Sequence, residues 1–204
     1  MKSFFHRLLR PGFFRKYLVF AIMVPLGYLT HVCVMPYLEF GGVTPNLLYV
    51  IIGIVTVAYG RLQTFWVGLF YGLLMEIMLP SVPFFNLALY PITSLFTSFV
   101  FADKSQRALE MDRAMRKEPK EMHPLLRTVL CTMVSTLAFE IFNVAYIYLG
   151  GTGLLLSHFQ RAALDVFLTG LMALALAVPI RLAILGRRRE VPKLKNQPIV
   201  FSRK

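Results

Sequence analysis

The sequence predicts an all-α, polytopic membrane fold with six transmembrane helices. Three observations carry that expectation: an apolar composition, six separable apolar stretches, and basic residues gathered on one side of them. The chain has 204 residues, of which 57% are hydrophobic and 16% charged, with a mean hydropathy of +0.63. Soluble domains run about 45–50% apolar and about 25% charged, so both quantities depart toward a membrane protein. The length accommodates roughly six spans of about 20 residues with short connections.

The elements follow in order. The first span is expected over Tyr17–Leu38, broken by Pro25 and Pro36. It is too long for the apolar region of a signal peptide, and no small-residue cleavage site follows it. The second covers Pro45–Tyr59, with Pro45 at the first helical position, where its missing N–H costs nothing. Gly60-Arg61-Leu62-Gln63 is a minimal turn, so the second span and the third, Thr64–Leu79, form an antiparallel hairpin. Pro80 to Pro83 turns the chain into the fourth span, Phe84–Phe101. The fifth and sixth are Leu125–Leu149 and Ala162–Leu185, separated by the Gly-rich stretch 150–160.

The charges then orient the spans. With the N-terminus inside and six crossings, 21 of the 22 Lys and Arg residues fall on the inner side, and only Arg161 falls outside. Cytoplasmic loops of helical membrane proteins carry this excess, whereas five crossings would export a basic segment. The expected organisation is a six-span membrane domain over 1–186 with a polar cytoplasmic loop at about 102–124, followed by a basic cytoplasmic tail over 187–204. Within the loop, Asp112 and Arg116 have the i,i+4 spacing of a short solvated helix. The net charge of +12 therefore reports topology and contact with anionic lipid, and does not call for nucleic acid.

Inside the spans, polar residues are the candidates for function, because an acid at a helix centre costs several kcal/mol to insert. Thr64, Gly68, Gly72 and Glu76 recur every four residues on the third span and stack on one face. Gly68 and Gly72 let another backbone approach closely, either within the chain or from a partner subunit, with Glu76 at the end of that face. The fifth span carries Glu140 and Asn143, three apart on one side, and the sixth carries Asp165 and Thr169. An interhelical hydrogen bond or a proton or ion relay are the two readings of Glu140, with no cation at its depth to pair with. Arg161, one turn before Asp165, is placed for a weak rim ion pair. Cys33, Cys131 and His31 are expected to be buried. No nucleophile elbow, phosphate-binding loop or metal cluster occurs, so neither a catalytic residue, a metal nor a cofactor is expected.

The stretch from Thr44 to Ser98 resembles the MreD family of the bacterial rod-shape, or elongasome, system. The matching residues are Pro45-Asn46-Leu47-Leu48 at the opening of the second span, the Gly60-Arg61 turn, and Gly68, Gly72, Leu73, Leu74 and Glu76 on the third. Pro83, Asn86, Leu87 and Tyr90 follow more loosely. Glu76 stands where Asp is commoner in the family, and the 102–124 loop is longer and more charged than the family's. The resemblance implies a fold similar to the substrate-binding subunits of energy-coupling-factor vitamin transporters. It also implies a non-catalytic scaffold in the cytoplasmic membrane, with both termini cytoplasmic. That scaffold would associate with the bitopic protein MreC and, through it, with a RodA polymerase and a class B penicillin-binding protein, and would link to the MreB filament. A vitamin-capture subunit is the alternative with the same size and layout. The Ala-x-x-x-Ala face such a subunit presents on its first span is absent, since Ala21 is followed four residues later by Pro25.

Overall fold

The computed structural model describes residues 11–78, 83–102, 122–151, 153 and 155–185. These residues form six α-helices: α1 (Pro11–Cys33), α2 (Leu47–Tyr59), α3 (Arg61–Met78), α4 (Phe85–Phe101), α5 (Pro124–Leu149) and α6 (Leu156–Leu185). A single 3₁₀ turn, Met35–Tyr37, follows α1. Among the described residues there is no strand, only an isolated bridge between Phe40 and Val43. Two helices, Pro124–Leu149 and Leu156–Ile180, are long and apolar enough to cross a membrane.

The core is built around α2. Its sequence is almost wholly apolar, and every residue from Leu47 to Thr56 is buried. A helix that is hydrophobic all round belongs at the centre of a bundle, and α1, α3, α4, α5 and α6 all pack on it. At 13 residues it is about 20 Å long, shorter than its neighbours. The remaining helices invert the soluble pattern. Their inward faces carry Thr93, Ser94, Thr97, Thr132, Ser135 and Thr136, all buried. Their outward faces carry exposed apolar side chains, among them Ile22, Trp66, Phe96, Ile141, Phe167 and Leu174. The buried hydroxyls are satisfied mostly by their own helices: Thr128, Thr132, Ser135 and Thr136 each donate to the carbonyl four residues earlier, at 2.8–3.0 Å. Two also join helices. Ser135 Oγ lies 3.0 Å from Thr97 Oγ1, bringing α5 against α4, and the hydroxyls of Tyr49 and Thr93 lie 3.0 Å apart, linking α2 to α4.

Several boundaries differ from those expected. The first helix begins at Pro11 and runs through Pro25, which costs one backbone hydrogen bond while Met23, Val24 and Tyr28 stay buried on either side of it. Pro45 is not helical: α2 starts at Leu47, and the N-cap residue Asn46 donates its main-chain N–H to Thr169 Oγ1 at 2.9 Å. The turn between α2 and α3 is Gly60 alone, at φ 93°, a left-handed conformation that only glycine adopts freely. Thr64 returns both its main-chain N–H and its hydroxyl to Gly60 O, so α3 is wound from Arg61. The sixth helix starts at Leu156, before the expected Ala162, because the Leu155 N–H donates to His158 Nδ1 while the His158 N–H donates to Leu155 O. This reciprocal pair closes the first turn as a capping box does.

Cys131 is buried as expected, but Cys33 is exposed, on the outward side at the end of α1. His31 is half-buried and its Nδ1 has no hydrogen-bond partner, so it is not a satisfied core histidine. The basic N-terminal residues 1–10, most of the 102–124 loop with Asp112 and Arg116, and the 187–204 tail lie outside the described residues.

Candidate functional site

The four-residue repeat on α3 is a seam against α4. A Cβ placed on Gly68 would collide with Ser94 Oγ and stand 3.0 Å from Tyr90 O. One placed on Gly72 would stand 2.7 Å from Asn86 O and 3.2 Å from Leu87 Cα. The obstacles include main-chain atoms, which cannot rotate away, so both glycines are needed for α3 and α4 to lie this close. Thr64, one turn earlier on the same face, lies 3.2 Å from the hydroxyl of Thr56 on α2.

Glu76 closes the far end of this seam. Its Oε1 accepts the main-chain N–H of Phe84 at 2.7 Å, and its Oε2 accepts that of Asn86 at 3.1 Å. A helix begins with four N–H groups that lack partners within the helix, and a carboxylate there also meets the positive end of the helix dipole. Phe84, the N-cap of α4, is held at φ 65°, where non-glycine residues are strained. The face formed by Gly68, Gly72 and Glu76 is therefore occupied by the chain's own α4.

The second constellation gathers residues from four helices. Glu140 of α5 lies within electrostatic reach of Asp165 of α6, with Asn143 beside it. Thr169 Oγ1 donates to Asp165 Oδ1 at 2.9 Å and accepts the Asn46 N–H at 2.9 Å. Asp165 faces into the bundle, and among the described residues no ion pair joins it to Arg161. On the inner side, the rings of Tyr49 and Tyr90 stack at 5.0 Å and 7°, with Phe139 tilted against both at 5.5 and 5.6 Å. The Tyr90 hydroxyl lies beside the Asn46 side chain. On the outer side, a groove of about 390 Å³ between α5 and α6 opens at Glu140, with Leu137, Ile141, Val144, Ala162 and Ala163 as its apolar walls.

Sequence reasoning singled out Glu140 and Asn143 together on the fifth span and Asp165 on the sixth, with no reason for the two helices to bring them together. It named Asn46 only as part of the Pro45–Leu48 match, and left Tyr49 and Phe139 unmarked. A buried-length apolar helix opening on Asn is the signal that would have drawn attention to Asn46. Among the described residues no group of three or more His, Cys, Asp or Glu side chains has metal-binding geometry. Compared with protein families, with curated proteins and with solved structures, the chain gives no match.

Proposed function

We propose that this protein is a six-span integral membrane scaffold of the MreD type, with both termini in the cytoplasm, serving the cell-wall elongation machinery without catalysing a reaction. The observation that carries the reading is the role of the resembling block, Pro45 to Tyr90. Asn46 ties α2 to α6, Gly68 and Gly72 seat α3 on α4, and Glu76 caps α4. These four shared residues hold helices together, which suits a protein whose task is to present a fixed shape to partners. The membrane reading rests on the apolar exterior over a hydroxyl-rich interior. Exposed apolar area on this scale belongs against lipid or partners, and Ser and Thr between helices serve as packing contacts there. The one-sided distribution of Lys and Arg supports the orientation.

The α3 seam is taken up internally, so a partner such as an MreC-like bitopic protein, and through it a RodA-like polymerase, a class B penicillin-binding protein and an MreB-like filament, would engage other faces. Co-purification of the full-length protein with the MreC-like protein encoded in the same genome tests the reading. A stoichiometric detergent-stable complex is expected. A vitamin retained by the purified protein, detected by mass spectrometry, with no such complex would overturn it in favour of a capture subunit. Reporter fusions at the C-terminus and in the 150–155 connection test the orientation, the first expected inside and the second outside.

A further inference from the structure

The groove between α5 and α6 opens on the outward surface of the bundle, and of the side chains that line it Glu140 alone carries a carboxyl or a basic group. Glu140 is half-buried there, while Ile141, Ala145 and Ala163 along the same groove are exposed. Ala145, Ala162 and Ala163 keep the walls low, and small residues of this kind let another helix come close inside a membrane.

The depth of Glu140 decides what can fill the groove. α5 has 26 residues, a length of about 39 Å against a hydrocarbon core of about 30 Å. Glu140 lies nine residues before the end of α5 at Leu149, about 14 Å along the axis. With α5 centred in the bilayer, that places Glu140 roughly 9 Å inside the hydrocarbon. An acid facing lipid at that depth is costly. A lipid tail fits the apolar walls but offers the carboxyl nothing, and a headgroup stays outside the hydrocarbon. A second copy of this chain brings no cation to that depth, since among the described residues every Lys and Arg of the helices lies within two turns of a helix end. Two such grooves face to face would also set Glu140 against Glu140. Ionised or protonated, the carboxyl accepts hydrogen bonds, so its complement is a donor carried into the membrane on a helix.

We propose that the α5–α6 groove docks one transmembrane helix of a partner protein, and that this helix seats a hydrogen-bond-donor side chain on Glu140. The inference rests on the membrane reading above and is independent of which partner the protein serves.

The test places a photo-crosslinking amino acid at Ile141 and, separately, at Ala163 of the full-length protein in its native membrane, with the exposed Phe96 of α4 as control position. Adducts are expected from Ile141 and Ala163 and not from Phe96. Sequenced by mass spectrometry, the captured peptide is expected to be a transmembrane segment of another protein, with Ser, Thr, Asn, Gln, Lys or Arg within one helical turn of the attachment point. Glu140→Leu should cut the adduct several-fold, and Glu140→Gln, whose amide oxygen still accepts, much less. Adducts with lipid alone, with a second copy of this chain or with a segment lacking a donor would each overturn the proposal, as would an unchanged yield in Glu140→Leu. Ala145→Trp fills the groove from an exposed position; loss of the adduct is expected, and its persistence removes the site even where Glu140→Leu does not fold. Co-purification of the MreC-like protein from the same membranes keeps two failures apart. A co-purifying partner with no groove adduct defeats this inference alone, and a donor-bearing helix captured without that partner defeats the cell-wall reading alone.

Discussion

Glu76, in the last turn of α3, holds the first turn of α4 by accepting the main-chain N–H of Phe84 at 2.7 Å. Its second oxygen takes the N–H of Asn86, so one side chain both ends the seam between these helices and starts the next helix. Replacing Glu76 by Ala strips both bonds and leaves the N–H groups of α4 without a cap. Loss of a cap costs about 0.5–2 kcal/mol. Glu76→Ala is expected to lower the unfolding free energy in a detergent-based denaturation by about that amount, and Glu76→Gln by less, because the amide oxygen still accepts one bond. Equal stability of Glu76→Ala and the natural protein would show that the cap carries no weight.

Gly72→Ala adds a methyl group 2.7 Å from Asn86 O. The neighbour is backbone, so α3 and α4 must part. Overpacking of this kind costs about 1–3 kcal/mol. The control is Gly153→Ala, where a Cβ meets nothing within 4 Å and stability should hold. The paired melts separate a packing effect from any general cost of losing glycine.

Phe84→Gly should act in the opposite direction. Phe84 sits at φ 65°, with its ring exposed. Glycine adopts this conformation without strain, and a non-glycine residue outside its preferred backbone region stores about 1–3 kcal/mol, part of which is returned against the greater freedom of glycine when unfolded. A net gain of roughly half a kcal/mol or more in the same unfolding assay is the expected outcome. A loss would mean that the Phe84 ring makes a stabilising contact outside the chain.

Tyr71→Phe probes how α1 is held. The Tyr71 hydroxyl donates to Val24 O at 2.9 Å, and the side chain is fully buried. A net hydrogen bond is worth about 0.5–1.5 kcal/mol. Removing it should lower stability by that much, and hydrogen exchange of the α1 amides around Val24 should speed up more than that of α5. Uniform acceleration in both helices would show that α1 is not selectively loosened.

How much was legible in the residues alone depends on the range over which each feature is set. Helical class, the centres of the six apolar segments and the Thr64–Glu76 stripe follow from composition and four-residue spacing, which are local. Helix ends were less legible. His158 capping Leu155 and the single-residue turn at Gly60 depend on hydrogen bonds of a few residues that hydropathy does not weigh. The exposure of Cys33 escaped because the outward face of a helix with an apolar exterior is chemically like its inward face.

By itself, the sequence determined that the chain is helical, that its apolar content suits a membrane, and that Gly68 and Gly72 invite a close neighbour. Only the tertiary structure decided who that neighbour is, and that Glu140 faces Asp165 beside Asn46. Spacing specifies which residues share a face of one helix. The rotation of one helix against another is set by packing, here by Thr132 seated against Gly53 and by Tyr49 stacked on Tyr90 with Phe139 alongside. Those contacts join residues dozens of positions apart, and they bring together two acids that the sequence held on separate helices.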